Sequence, residues 1–248
     1  MIIDFFSLHG VNFLILYGVG CLAGFMNVMA GGGSTLSLPA LIFLGLDGAV
    51  ANGTNRVAIF IQNIAAVSSF HQENSYDFKS ILKMALWTLP GAVLGAFVAV
   101  RISNDLFRIL LGVVIIGVII SMAVPRRLQA RNLPPKHPKL IYPALFLLGL
   151  YGGFIQIGIG FLFMAAFTHI LRMDLIRVNM HKVFIIFIYT FPALLVFYFT
   201  DNIFLPFGIA LAAGNATGGW WAAKMTIKRG EGAIRVVLYL PPLSWRSN

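Results

Sequence analysis

The chain has 248 residues, of which 59% are hydrophobic and only 10% are charged. A soluble domain carries about 25% charged residues, so this composition excludes a soluble globular protein and predicts an all-α polytopic membrane protein. The formal net charge is +10, but the basic residues lie in short segments between apolar stretches, as they do in cytoplasmic loops. Nucleic-acid binding is therefore not expected. Cys21 is the only cysteine, which excludes an intramolecular disulfide and a cysteine-based metal cluster.

The first half, residues 1–124, begins with two apolar stretches that three glycines separate. Val11–Ala30 is long enough to cross a bilayer, which takes about 20 residues, whereas Thr35–Leu46 is too short to cross alone. We therefore expect a helix pair broken by glycine, followed by about three transmembrane helices. The three full-length stretches are Ala49–Phe70, Ile81–Val100 and Leu106–Val124.

A polar connector, residues 125–139, contains several prolines and basic residues and is predicted to be a cytoplasmic linker. The second half, residues 140–248, then repeats the order of the first. We expect its last helix to be shortened, because a final apolar stub stops at Pro241-Pro242. The stretches of this half are Ile141–Ile157, the short Phe161–Leu171, Val178–Phe199, Ile203–Ala223 and the stub Ala233–Leu240.

Matched residues in the two halves indicate an internal duplication. Gly20-x-x-x-Gly24 recurs as Gly149-x-x-x-Gly153, and Gly91-x-x-x-Gly95 recurs as Gly214-x-x-x-Gly218. At one constant spacing, Asn52, Asn55 and Asn63 recur as Asn179, Lys182 and Thr190. Duplicated halves that each carry a glycine-broken segment are typical of secondary transporters, whose binding site lies between the repeats. We expect the glycine pairs to pack the two halves against one another.

Each short pair is either one broken crossing or a helical hairpin that returns to its own side. With Arg126 on the cytoplasmic side, two hairpins also bring the 71–83 region, Arg172 and the 224–235 region to that side. If the second pair crossed the membrane only once, Arg172 and the 224–235 region would lie on the outer side. The preference of basic residues for the cytoplasm favours hairpins. The sequence thus predicts two inverted repeats, each a glycine-broken hairpin plus about three transmembrane helices.

The two glycine breaks are candidates for the binding site. Gly31–Gly33 supply the positive φ and the close approach that a chain reversal needs, and Gly158 and Gly160 occupy the matching place. The helix that begins near Ser34 directs free N–H groups and a positive dipole end into the interior, and such helix ends bind anions. The alternative is a packing kink that binds no ligand.

A polar stripe follows each break. Asn52, Asn55 and Arg56 lie on one helix face, and Asn179 and Lys182 lie on the matching face of the second half. Polar groups this deep normally face the bundle interior or a water-filled path, and a cation with several amide donors suits an oxyanion. In the alternative interpretations, the amides join helices by hydrogen bonds and the cations extend to the membrane surface.

Acidic residues are almost absent from the predicted spans, which disfavours a cation transporter and an Asp/Glu proton relay. His169 and His181 are candidate proton carriers, although each is more simply interpreted as a hydrogen-bonded residue near a helix end. Pairing Ser34 with either histidine as a protease needs a specific geometry that nothing in the sequence indicates. We therefore expect no enzymatic activity, no cofactor and no metal.

The motif Gly31-Gly32-Gly33, followed by Pro39 and by Ala51-Asn52-Gly53-Thr54-Asn55, resembles the sulfite exporter TauE/SafE family. The second half, with Gly153-Phe154, Gly158, Gly160 and Asn179-x-x-Lys182, is similar to that family's second repeat. The resemblance spans about residues 11–235. It implies a membrane transporter for sulfur-containing anions such as sulfite or organosulfonates. The chain departs from the family at its shortened last helix.

We therefore predict a secondary transporter that exports small sulfur-containing anions by alternating access. An inside-negative potential favours outward movement of an anion by about 2.3 kcal/mol per charge per 100 mV. An anion channel and a non-transporting membrane scaffold or assembly factor are the alternatives. The expected surroundings are a small anionic substrate and the lipid bilayer of a bacterial cytoplasmic (inner) membrane. The predicted substrate-binding residues are Asn27, Gly31, Gly32, Gly33, Ser34, Asn52, Thr54, Asn55, Arg56, Gln156, Gly158, Gly160, Asn179, His181 and Lys182.

Overall fold

The computed structural model describes residues 2–71, 78–123 and 138–238. Regular structure in these ranges is entirely helical, which confirms the all-α prediction. A short 3-10 turn, Pro138–Leu140, precedes the sixth helix. The helices are α1 (Ile2–Met29), α2 (Ser34–Phe43), α3 (Gly48–His71), α4 (Phe78–Ala99), α5 (Asn104–Ala123), α6 (Ile141–Phe154), α7 (Ile159–Ile170), α8 (Leu175–Phe199) and α9 (Leu205–Leu238).

Within the described ranges, three helices are long and apolar enough to cross a membrane by length and composition. They are Gly10–Met29 of α1, Lys79–Ala99 of α4 and Leu175–Phe199 of α8. α2 and α7 are apolar but have only 10 and 12 residues, so neither can cross a bilayer alone. These are the two short arms that the sequence predicted after each glycine break.

The end of the chain differs from the prediction. Helical backbone of α9 continues past Ala223 as far as Gly230, whose φ of 64° and ψ of −158° are not helical, and a short helical segment follows up to Leu238. Straight-chain lysine, arginine and methionine residues favour helix, which explains why the segment after Ala223 stays helical. The end of the stub, Pro241-Pro242, most of the 125–139 linker and residues 72–77 lie outside the described residues.

Two helix pairs pack through glycine, α1 with α9 and α4 with α6. Gly20 lies against the backbone of Leu211, and Gly24 lies one turn further along against Asn215. A Cβ at either glycine would overlap that backbone, so the close approach requires glycine. The contacts advance together along both helices, so α1 and α9 run parallel. The expectation that glycine pairs pack the two halves together is confirmed. The remaining glycines in these contacts are Gly91, Gly95, Gly149, Gly153, Gly214 and Gly218.

α3 also runs parallel to α9, because Gly208 lies against Val57 and Gly219 lies against Gln62. α1 and α3 therefore point the same way, and the α2 arm between them must run back. The chain reverses at the first glycine break, as the hairpin interpretation predicted. A single broken crossing would have kept α1 and α2 in one direction.

α3 and α8 cross the centre of the molecule in opposite directions. Gly53, near the start of α3, lies against Phe197, near the end of α8. Further along α3, Phe60 stacks on Phe187 with ring centroids 5.1 Å apart. These two helices carry the polar stripes that the sequence singled out, so the fold brings both stripes to the interior.

Candidate functional site

The two glycine breaks meet at the centre of the structure. Gly31 and Gly160 are in direct backbone contact, and a Cβ added to either would overlap the Cα of the other. Gly31 has φ 94°, and Gly158 and Gln156 have φ 67° and 61°, values that glycine adopts most readily. The two breaks therefore touch each other directly, and their depth in a bilayer stays a prediction.

At the first break, Asn27 closes the space between α1 and α2. Its Oδ1 accepts a hydrogen bond of 3.3 Å from the Ser34 N–H, one of the free donors at the start of α2. Its Nδ2 donates to Gln62 Oε1 at 3.1 Å. The asparagine oxygen thus occupies the helix N-terminus that the sequence assigned to an anion. Gly33 packs on the backbone of Ala23 and keeps this reversal tight.

At the second break, the side chain of Gln156 joins α3 to α8. Its Oε1 accepts from Arg56 at 3.3 Å, and its Nε2 donates to the Thr190 hydroxyl at 3.1 Å. A non-glycine residue with positive φ costs about 1–2 kcal/mol, and these two bonds hold Gln156 in that conformation. Gly158 is the N-cap of α7 and packs on Val118.

Arg56 on α3 binds the end of α6 in the other half. Its guanidinium donates to the Gly153 carbonyl and lies 4.7 Å from the centroid of the Phe197 ring. Asn52, one turn earlier, donates to the Phe154 carbonyl at 2.7 Å. Carbonyls at a helix C-terminus have no partner within the helix and carry its negative dipole end. Arg56 and Asn52 therefore fasten the first half to the second.

Lys182 on α8 makes the reciprocal contact with the end of α1. Its Nζ donates to the Val28 carbonyl at 2.9 Å, the Asn27 carbonyl at 3.3 Å and Asn179 Oδ1 at 2.8 Å. Asn179 itself donates to the Met29 carbonyl at 3.4 Å. Each half thus places a cation and an amide on the C-terminal carbonyls of the other half's first helix.

Both cations are fully buried, with 0% of Arg56 and of Lys182 exposed to solvent. The interpretation that they extend to the membrane surface is therefore wrong. Among the residues whose side-chain burial the structure describes, no aspartate or glutamate is buried. Burial of a charge without a counter-charge is costly, and the helix ends supply only partial negative charges. The two buried cations therefore face only these partial charges and neutral hydrogen-bond acceptors.

A small cavity lies beside the contact of the two breaks. The volume that the centre of a water molecule can occupy is about 20 Å³. The cavity therefore has room for about one water. Its polar wall includes six of the predicted site residues, and its apolar wall consists of four aliphatic side chains. The lining residues are Asn27, Gly31, Ser34, Ile59, Gln62, Asn63, Gln156, Ile159, Gly160, Lys182, Val183 and Ile186.

Gln62 was not among the predicted site residues, and Asn63 was noted only because it recurs as Thr190 in the second half. Gln62 is 2% exposed and lines the cavity while it holds Asn27. The signal was present, because Gln62 lies two helical turns after Asn55 on the same face. A polar residue inside an apolar helix normally faces the interior, and this criterion alone would have found it.

The other predicted site residues do not line the cavity. Asn55 accepts from Ser37 at 2.6 Å and donates to Ser34 Oγ at 3.5 Å, so it stands behind the first break. The Thr54 hydroxyl accepts from the Phe204 N–H at 2.9 Å and fixes the start of α9. These are contacts that hold helices in place.

The remaining predicted residues are also outside the cavity. Gly32 packs against the Phe161 ring. His181 is half-buried, with Nδ1 2.8 Å from the Arg177 carbonyl, at the start of α8. The described residues contain no group of three or more His, Cys, Asp or Glu side chains that could hold a metal.

Comparisons with known proteins identify relatives of the chain. The profile described as "Sulfite exporter TauE/SafE" matches residues 16–240. A "Probable membrane transporter protein" of Haemophilus influenzae is 25% identical over 93% of this chain and 92% of its own. One of a Sinorhizobium species is 24% identical over 91% of this chain and 87% of its own. YjnA of Bacillus subtilis, similarly described, is 31% identical over 64% and 68%.

No solved structure matches the chain. The family match extends over most of the described helices and includes both glycine breaks. A family of membrane transporters, together with apolar helices long enough to cross a bilayer, identifies an integral membrane protein and not an enzyme. The chain belongs to the sulfite exporter TauE/SafE family.

Proposed function

We propose that this protein is a secondary transporter that exports small sulfur-containing anions, such as sulfite or organosulfonates, across a bacterial cytoplasmic membrane. The observation that carries the proposal is the pair of buried cations, of which Lys182 lines the cavity between the two breaks. The family description, which names sulfite, supports the substrate class. The buried charge favours an anion whatever its identity.

Binding requires the cavity to enlarge, because an oxyanion is bigger than a single water. The anion replaces the Asn27 oxygen at the Ser34 N–H and takes a charge-assisted hydrogen bond from Lys182. Gln62 and Asn63 supply amide donors to its other oxygens. A hydrogen bond to a charged group contributes about 1.5–3 kcal/mol, and the positive end of α2 adds to this attraction.

The cavity is displaced toward one end of the central helices. On α3 the cavity lining runs from Ile59 to Asn63, one turn further along the chain. On α8 it runs from Ile186 back to Lys182, one turn earlier in the chain. Since α3 and α8 are antiparallel, both extensions point the same way. The proposed topology has residues 1–124 and 140–248 as inverted repeats and 125–139 as their cytoplasmic linker, and this end faces the cytoplasm.

The duplication predicts a second cavity at the opposite end. There the matched positions on α3 hold Asn55 and Arg56, and α8 offers Thr190. Arg56 Nε has no hydrogen-bond partner within the described part of the chain, although it is buried. We propose that the cavity moves to this position when the transporter opens outward. Lys182 then receives the anion from the cytoplasm, and Arg56 passes it to the outside.

This arrangement supports alternating access over a continuous pore. The contact between Gly31 and Gly160 closes the path, and each half is fastened to the other by one cation at a helix end. Exchange of these contacts would shift the hairpins against α3 and α8. The inside-negative potential drives an anion outward by about 2.3 kcal/mol per charge per 100 mV.

Vesicles reconstituted with purified protein test the proposal. Efflux of radiolabelled sulfite is expected to saturate with concentration and to accelerate when unlabelled sulfite is added on the opposite side. Fast flux without saturation would indicate a channel instead, and flux equal to protein-free vesicles would indicate a scaffold. A thermal-shift series with sulfite, sulfate, thiosulfate and short sulfonates ranks substrates, because ligand at about 100 times Kd stabilises by about 2.7 kcal/mol.

A further inference from the structure

A groove of about 480 Å³ lies between α1 and α9, away from the central cavity. One part of its wall is basic, with three cations from the second half of α9. The other part is apolar and combines side chains of both helices. Its lining residues are Phe25, Trp221, Lys224, Met225, Lys228 and Arg229.

The three basic residues of the groove lie close together on one side of α9. Lys224 and Lys228 are four residues apart, so they lie on the same face of α9, and Arg229 follows directly. The acidic residue nearest in sequence, Glu231, accepts a 3.0 Å hydrogen bond from the Leu175 N–H, so its carboxylate is directed to the start of α8. The groove lining contains three positive charges and no acidic side chain.

Aromatic side chains mark this end of α9 as a membrane interface. Trp221 is 67% exposed and Trp220 is 39% exposed, and tryptophan concentrates where the bilayer core meets the headgroups. The Lys224 ammonium lies 3.9 Å from the centroid of the Trp220 ring. This cation–π contact fixes the lysine at the level of the aromatic rings.

We propose that this groove binds an anionic phospholipid, with its phosphate at Lys224, Lys228 and Arg229. The acyl chain would lie along Phe25 and the exposed face of Trp221. Basic pockets between transmembrane helices on the cytoplasmic side bind such headgroups, and the proposed topology places the end of α9 there. A soluble phosphate could use the charges but would leave the apolar wall uncovered. The lipid would bridge α1 and α9, one helix from each half.

Lipid titration of the purified protein tests the site. The probe is fluorescent phosphatidylglycerol added to nanodiscs of phosphatidylcholine that hold the full chain. Each basic residue near an anionic surface contributes about fivefold in affinity, so the triple variant Lys224→Gln, Lys228→Gln, Arg229→Gln should bind on the order of a hundredfold more weakly. The same variant should lose the rise in melting temperature that phosphatidylglycerol gives the unchanged protein.

A matched variant, Lys79→Gln, Lys83→Gln, Lys139→Gln, removes the same net charge from three exposed positions outside the groove. It should keep both the affinity and the thermal shift. Equal loss in the two triple variants would mean general attraction to the surface and would overturn the proposal. Undiminished lipid binding by the groove variant would overturn it as well, as would an equal thermal shift from inorganic phosphate in detergent.

Discussion

Arg56 and Lys182 make reciprocal contacts in the two halves of the molecule, each on the C-terminal carbonyls of the other half's first helix. Both are fully buried. Lys182 lines the central cavity, whereas Arg56 is enclosed by Gln156 and Phe197. Two cations with the same type of partner therefore differ in access to the site. Their access differs because the cavity lies toward the end of α3 and α8 at which Lys182 is located.

The largest loss of stability is expected from a substitution that pushes the two glycine breaks apart. Gly160→Ala would place a methyl group inside the Gly31 backbone, and overpacking a tight contact costs about 1–3 kcal/mol or more. Gly31→Ala adds about 1–2 kcal/mol because of its positive φ. We expect both variants to melt far below the unchanged protein in detergent, or to fail to accumulate.

Gly18→Ala is the control for the glycine variants, because nothing lies within 4 Å of a Cβ at that position. It should melt like the unchanged protein. A normal melting temperature for Gly160→Ala would contradict the packing of the two breaks.

Removal of either cation should cost stability to a similar extent. Arg56→Met leaves the Gly153 carbonyl and Gln156 without a donor, and Lys182→Met does the same to the Val28 carbonyl. An unsatisfied buried polar group costs about 1–3 kcal/mol. Thermal unfolding in detergent measures the loss, and Lys79→Met, at an exposed position, should leave stability unchanged. If Arg56→Met and Lys182→Met both kept full stability, the proposed role of these two cations in joining the halves would be excluded.

A smaller effect is expected at Gln62, which lines the cavity beside Lys182. Gln62→Leu keeps the bulk but removes the amide, and a neutral hydrogen bond contributes about 0.5–1.5 kcal/mol. The apparent affinity for sulfite should fall about twofold to tenfold. Thr217→Val removes an exposed hydroxyl of α9 that bonds only locally, and its transport kinetics should match the unchanged protein. An unaltered half-saturating concentration in Gln62→Leu would remove this residue from the site.

The smallest effect is expected at His181, a residue that the sequence assigned to the site. It does not line the cavity and contacts the Arg177 carbonyl on its own helix. We expect His181→Ala to transport sulfite with an affinity within about twofold of the unchanged protein, because its ring packs on Phe167 and not on the cavity. A larger loss of affinity in vesicle uptake assays would indicate that His181 belongs to the binding site.

The sequence predicted the order of the helices and the glycine contacts, because both are local signals, although only α1, α4 and α8 of the described helices are long and apolar enough to cross a membrane. Apolar length indicates a crossing, and the Gly24 and Gly218 spacings indicate close helices. The cavity walls were harder to predict. The stripe placed Asn55 and Lys182 at matched positions, but which of them faces the cavity depends on where the space between α3 and α8 lies. Packing in three dimensions determines this, and no local pattern records it.

The end of the predicted span Ile203–Ala223 also differs from the structure, whereas the short segment predicted after it is separated from it at Gly230. Apolar length predicted an end at Ala223, whereas helical backbone continues through the basic residues that follow and is interrupted only at Gly230. Glycine adopts the positive φ of this interruption without the steric cost that other residues have. The short segment after it packs on the rest of the molecule through Ala233 and Ile234, both of which are buried.

The most direct test of the account compares the two cations on the two faces of the membrane. Initial sulfite uptake is measured against concentration in inverted vesicles, which expose the cytoplasmic face, and in right-side-out vesicles. Lys182→Met should raise the half-saturating concentration about ten- to a hundredfold at the cytoplasmic face, and Arg56→Met should do so at the outer face. Lys182→Arg, which keeps the charge, should be milder. If each variant changed both faces equally, or neither face, the assignment of one cation to each opening would be contradicted.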